Sequence, residues 1–210
     1  SEPVGRVRLE LPGAFGRRHV LPVLNELSCA YPRLNFSTMV SERTADILGE
    51  GIDLAVRIGR LNDSSGLIAR RLGSQRLVIC ASPSYLAAHG VPETPDELKI
   101  RDCLVGWRGT SPSSWLLRSK SGQFVPHPVH VRHELSDGEG LVAATLAGCG
   151  LCQLPTWLID DHLASGMLIA VLPDYAGAEM PIHAVWPQTR YTKPKIRVII
   201  DALKDRAEKF

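Results

Sequence analysis

Long hydrophobic runs are missing from this chain of 210 residues. Unbroken apolar stretches, such as Leu77 to Ala81 and Val198 to Ile200, fall far short of the roughly 20 residues a membrane span requires. No transmembrane or membrane-anchored reading survives that. Charge of one sign is missing too: 24 Lys and Arg stand against 22 Asp and Glu, a net charge of +2. A nucleic-acid surface needs clustered positive charge, so composition offers no support for one. Aromatic residues make up only 6%, and the four Trp (Trp107, Trp115, Trp157, Trp186) are scattered singly in or beside apolar runs, where they predict core packing. Paired cysteines are absent as well. Cys29, Cys80, Cys103, Cys149 and Cys152 are odd in number, irregularly spaced and mostly inside apolar runs, which points to free thiols in a reducing cytoplasm rather than a disulfide framework. GxGxxG, Walker, GxSxG and HExxH motifs do not occur, so the common enzyme signatures are lacking. The opening Ser1-Glu2-Pro3-Val4 carries neither an initiator Met nor an export pattern and reads as a fragment or a processed start.

What the chain does have is 44% hydrophobic residues in short, regularly punctuated segments, an ordinary globular composition. Val7 to Leu11 alternates as a strand; Pro12-Gly13 turns into a helix marked by Val20, Leu24, Leu27 and Tyr31, with a kink expected at Pro22. Leu34 to Val40 predicts a strand, Arg43 to Glu50 a short helix, Ile52 to Ile58 a strand, and Ile68 to Leu72 and Leu77 to Ala81 two further strands. Ser84 to Ala88 predicts a short helix. Thr94-Pro95-Asp96-Glu97 then opens a helix with a capping hydroxyl, Pro in the first turn and an acid three residues on. Short strands follow at 104–107, 115–118, 124–125 and 129–135. Ser136-Asp137-Gly138-Glu139 is a capping box for an Ala-rich helix that runs to Ala147 and stops at Gly148. Strands at 151–154, 167–172 and 182–186, a helix at 156–164 and a last helix from Pro194 complete the pattern. Ile196, Ile199, Ile200, Leu203 and Ala207 form the apolar stripe of that last helix. Strands alternating with helices imply an α/β fold with parallel crossovers. A restart after residue 80 suggests two lobes, with the chain crossing near 80–82 and returning near 183–186.

Candidate chemistry is sparse. Cys149-Gly150-Leu151-Cys152 has CxxC spacing, yet it follows a helix end and enters an apolar strand, the setting of structural thiols. His127, His130 and His133 alternate faces on a strand and do not converge as metal ligands require, so no metal and no cofactor is expected. Asp46, Asp53 and Asp137 lack partner spacing for acid–base work and read as caps or surface groups. Two loops carry more interest: Pro12 to Gly16 and Ser136 to Glu139 each set a helix N-terminus at the carboxyl end of a strand. Open α/β sheets bind ligands at such ends, where free N–H groups favour anions. Ordinary capped helices look the same, and both readings stay open at this point.

The stretch IGRLNDSSGLIARRLGSQRLVICASPSYLAAHG at 58–90 resembles the effector-binding domain of LysR-type transcriptional regulators. The similarity continues through 5–32, 51–59, 94–105, 146–155 and 163–175. It implies two Rossmann-like lobes of the type II periplasmic-binding-protein fold, residues 5–80 plus 183–210 and residues 81–182. It also implies a winged helix-turn-helix domain that nothing in this chain matches, so DNA would be held only through that absent domain. The implied task is to sense a small-molecule effector, commonly a carboxylate, and to self-associate as a dimer or tetramer. Helix 15–31 and strand 34–40 would then lie on a second-lobe helix of the partner copy. Carried over residue by residue, the pocket takes Gly13, Ala14 and Phe15, Ser41 and Glu42, and Arg57 from the first lobe, Cys80 and Ala81 from the crossover, and Ser136, Asp137 and Gly138 from the second lobe. Many members have Ser or Thr where this chain has Gly13-Ala14 and Asn where it has Ser136, which removes polar contacts and allows a less polar or larger effector. Cys149 and Cys152 stand where the family is small or apolar, so a paired-thiol sensor role is not carried over. The rival on the same fold is a solute-binding protein of a transporter, against which the unpaired thiols count.

Overall fold

A computed structural model describes residues 2–106, 112–189 and 191–207; Trp107 and the end of the strand expected at 104–107 lie outside these. The chain divides into two compact units, residues 1–74 with 180–210 and residues 75–179. Among the described residues no helix is long and apolar enough to cross a membrane.

In the first unit, β1 (Gly5–Leu11) runs parallel to both β2 (Leu34–Val40) and β3 (Leu54–Ile58). β11 (Glu179–Pro187) lies antiparallel to β3 and next to β4 (Leu67–Ala81). Val7, Leu9 and Leu11 of β1 are buried, as are Val23, Leu24 and Leu27 of α2 (Leu21–Ala30) and Ile196, Ile199, Ile200 and Leu203 of α6 (Pro194–Arg206), with α6 in contact with β1 and with α2, and α2 with β2. Each such aliphatic side chain contributes about 1.5–3 kcal/mol on burial, and this pair of apolar stripes forms the core of the unit. Arg206 seals the helix pair with a fork on Glu26, at 2.6 and 2.7 Å.

The kink expected at Pro22 is resolved in a particular way. A first turn α1 (Gly13–Phe15) leads into a π-helical turn at Gly16–Val20, closed by Leu21 N–H donating to the Gly16 carbonyl, and α2 follows. The wider turn sits where Pro22 lacks a donor and its ring would crowd the preceding carbonyls.

In the second unit, β9 (Leu151–Pro155) pairs antiparallel with β4 and parallel with β5 (Cys103–Gly106), and β5 pairs parallel with β8 (Val131–Leu135). β10 (Ile169–Val171) is antiparallel to β4, while β6 (Ser114–Arg118) and β7 (Phe124–Pro128) form a separate hairpin. Ile79, Leu98, Cys103, Trp115, Leu117 and Leu151 anchor the core, with Tyr85 and Leu86 of α3 (Pro83–His89). The Thr94 capping box forms, on a 3₁₀ helix at Pro95–Lys99. The Glu97 carboxylate accepts from Arg101 and from the Glu93 and Thr94 N–H groups, which together pull its pKa down to about 2. α4 (Gly138–Leu146) and α5 (Thr156–Ser165) complete the unit, α5 ending at Gly166 in the left-handed conformation.

Three sequence expectations are corrected. Residues 43–50 are an irregular stretch ending in a turn from 47, not a helix: the Ala45 N–H donates to Glu10 Oε1, the Ala45 carbonyl accepts from Arg57, and Asp46 Oδ1 takes the Gly49 N–H, so backbone groups that a helix would use are engaged elsewhere. Residues 67–81 form one strand rather than two, because pairing partners flank both halves. The cap of α4 is Asp137, one residue beyond Ser136: its Oδ2 accepts from Gly140 N–H at 3.1 Å.

Candidate functional site

In unit 1, β1 ends at Leu11 and Pro12 sets the extended conformation from which Gly13 starts a helical turn. The Gly13 N–H points out of that turn and is taken by Glu42 Oε1 at 2.8 Å. A Cβ at Gly13 would stand 2.5 Å from the same oxygen, so the absent side chain is what lets the carboxylate reach the amide. Ala14 and Phe15 are buried and pack beneath the corner. Ser41 continues β2, with its N–H on the Leu11 carbonyl at 3.0 Å, and its Oγ is buried with no hydrogen-bond partner among the described residues. Gly13 and Glu42 are thus brought into contact. Arg57 is engaged elsewhere: Nη2 donates to Glu10 Oε2 and to the Ala45 carbonyl, both at 2.8 Å. Glu10 is only 3% exposed, so this is a buried ion pair with both carboxylate oxygens satisfied. It is built to hold the 44–47 turn on the sheet.

In unit 2, Ser136, Asp137 and Gly138 follow β8 in sequence and form the start of α4. Asp137 spends one carboxylate oxygen on the Gly140 N–H. Both amide corners flagged in the sequence therefore hold a carboxylate of the chain itself, and an anionic solute at Gly13 would have to compete with Glu42. Cys80 and Ala81 are wholly buried in β4, so their side chains are out of reach of a solute in this structure.

Two polar groups escaped the sequence reading. His183 is the cross-strand partner of Arg57 in the β11–β3 register, with Nδ1 buried and unpartnered among the described residues. Burial, then the nearby Arg71 charge, lowers its pKa. No sequence signal could have found it, since strand register between residues so far apart is not local information. Glu10 likewise looked like one polar position in an alternating strand.

The thiols are structural in geometry. Cys80 and Cys152 are directly opposed on β4 and β9, and burial pushes the thiols of Cys80 and Cys103 up to about 12 and that of Cys152 higher. Since the thiolate is the reactive form, an aromatic disulfide reagent at pH 8 should label exposed Cys29 first and half-buried Cys149 more slowly. Peptide mapping should find Cys80, Cys103 and Cys152 unlabelled until the protein is denatured. His127 Nε2 lies 2.8 Å from the Pro95 carbonyl, and among the described residues no three His, Cys, Asp or Glu converge as a metal site. Trp115, Trp157 and Trp186 are buried, Trp157 Nε1 donating to Gln75 Oε1 at 2.9 Å.

A family model described as the LysR substrate binding domain matches residues 1–208. The chain belongs to that family. It is 35% identical over 205 residues to the HTH-type transcriptional regulator DmlR of Escherichia coli K12, covering 96% of this chain and 65% of the relative. It is 31% identical over 202 residues to the HTH-type transcriptional regulator CrgA of Neisseria meningitidis serogroup C, covering 96% and 67%. The chain thus spans about two thirds of the length of such relatives. Among solved structures, the regulatory domain of CrgA from Neisseria meningitidis is similar with a TM-score of 0.82 at 30% identity, covering 98% of this chain and 100% of that one. Full-length AphB of Vibrio cholerae, a virulence activator, gives 0.82 at 27% identity, covering 96% and 68%. The fold is that of LysR-type regulatory domains, the type II periplasmic-binding-like architecture.

Proposed function

We propose that this LysR-family domain senses a small-molecule effector and self-associates, and that it thereby controls DNA binding by a separate winged helix-turn-helix domain. The observation that carries this reading is the match to the family over residues 1–208, with relatives about half as long again that are HTH-type regulators. The proposed effector contacts are the Gly13-Ala14-Phe15 turn, Ser41, Glu42 and Arg57 in unit 1, and Ser136, Asp137 and Gly138 in unit 2, with Cys80 and Ala81 as backbone supports. Ser41 Oγ and His183 Nδ1, both buried without partners among the described residues, add the polar atoms that a bound molecule would satisfy. Self-association is assigned to the α2 and β2 face. The domain would work in the cytoplasm, as a regulator rather than a catalyst, which its relatives support. The transporter solute-binding reading shares the fold but not the relatives.

An effector acts only through its differential affinity for the two arrangements it switches between. A thermal-shift screen of aliphatic and aromatic acids and their amides tests the reading, because a ligand at a hundred times its Kd stabilises the native state by about 2.7 kcal/mol. Binding of a hit is expected to fall at least about tenfold in both Ser41→Ala and Gly138→Trp, a loss of about 1.4 kcal/mol or more. A hit indifferent to both substitutions would place the effector elsewhere and overturn the assignment.

A further inference from the structure

Unit 1 holds a cavity of about 570 Å³ for which the proposed effector corners do not account. It is bounded by the 44–47 turn, the end of β3, the 60–64 loop, the start of β4 and Val185 of β11. Its volume lies within the range of about 300–1,000 Å³ typical of small-molecule pockets. One side of it is apolar: Ala45, Ile47 and Val185 belong to one buried cluster, and Leu61 and Leu67 pack against it while remaining half-exposed. Thr44, Asn62 and Ser64 line the cavity as well, and so does Arg57. Arg57 spends Nη2 on Glu10 and the Ala45 carbonyl, but its Nε is buried and has no hydrogen-bond partner among the described residues. A buried guanidinium N–H left without an acceptor is a position that a ligand oxygen would satisfy.

The charges decide what kind of oxygen. Arg57 is already neutralised by Glu10, and the rim carries Asp46 and Asp63 against Arg60. With three carboxylates for two guanidiniums, the cavity does not favour a further anion, and the orphan donor asks for a neutral acceptor. We propose that this cavity binds a neutral small molecule with an apolar body and one carbonyl acceptor, an amide, ester or lactone, received by the Arg57 Nε–H. The site shares only Arg57 with the proposed effector contacts and does not depend on them.

The test uses two probes of the same shape, 5-phenylpentanamide and 5-phenylpentanoate, titrated into the 210-residue chain at pH 7. The methyl resonances of Ile47, Leu61, Leu67 and Val185 and the Arg57 Nε–H resonance are followed. The amide is expected to shift all of them saturably, and the acid to bind about fivefold more weakly, the size of one unfavourable charge contact. Ala69→Trp, at an exposed position on the rim, should abolish the shifts, and Ser64→Trp should do the same should the first variant fold poorly. Gly138→Trp should leave them unchanged while removing binding at the effector corners, so the two proposals fail separately. Acid binding as tightly as amide, amide shifts that survive both rim substitutions, or no saturable shift at all would overturn the proposal.

Discussion

Glu10→Ala should cost about 3–5 kcal/mol of folding stability and lower Tm by roughly 10 °C. The carboxylate is the hub of unit 1: Oε1 takes the Ala45 N–H at 2.7 Å and Oε2 takes Arg57 Nη2 at 2.8 Å. Removing it strands a guanidinium that is only 19% exposed and frees a backbone N–H, two penalties that add because neither group gains another partner. A control separates the ion pair's net value from the cost of breaking it. Replacing both members, Glu10→Leu with Arg57→Met, should recover the part of the loss due to the stranded charge and leave a deficit of about 1–3 kcal/mol, since two charges leave the interior together while the Ala45 N–H and carbonyl lose their partners. Urea denaturation followed by circular dichroism measures both. A loss below about 1 kcal/mol for Glu10→Ala would mean that the 44–47 turn is held by other contacts.

That turn also shows where sequence reading stops. The strands and helices whose evidence is local were legible: β1 from alternation, the Thr94 box from its own four residues, α6 from its stripe of Ile and Leu. Residues 43–50 have a pattern compatible with a helix, yet the N–H and C=O groups of Ala45 answer to Glu10 and Arg57, 35 and 12 residues distant in the chain. The same holds for the site. The Gly13 loop is legible from the residues, and Glu42 and Arg57 enter only through the family resemblance, but that Glu42 closes on the Gly13 amide while Arg57 turns to Glu10 is a matter of register. His183 becomes visible only when β11 is laid against β3. At α4 the difference is a single residue: Ser136 and Asp137 are both good caps, and it is Asp137, in extended conformation, that takes the Gly140 N–H.

Register has a steric side as well, and Gly150→Ala should expose it as a loss of about 2–4 kcal/mol. Gly150 precedes β9, and a Cβ there would lie 2.5 Å from the Asp102 carbonyl oxygen and 3.1 Å from its carbon. These are backbone atoms and cannot swing aside as a side-chain tip would. The same carbonyl accepts the Leu151 N–H at 2.9 Å, the bond that starts the parallel pairing of β9 with β5. A methyl group must therefore push the two strands apart at the point where Cys103 and Leu151, both wholly buried, close the core of unit 2. Gly106→Ala is the matched control, at the other end of β5, where an added Cβ meets nothing within 4 Å among the described residues. It should be neutral or stabilising by about 0.4–1 kcal/mol, because alanine restricts the unfolded chain more than glycine does. Chemical denaturation of the two variants side by side decides the point: equal stabilities would show that β5 and β9 separate freely, and that the close approach at Gly150 does not set the register of unit 2.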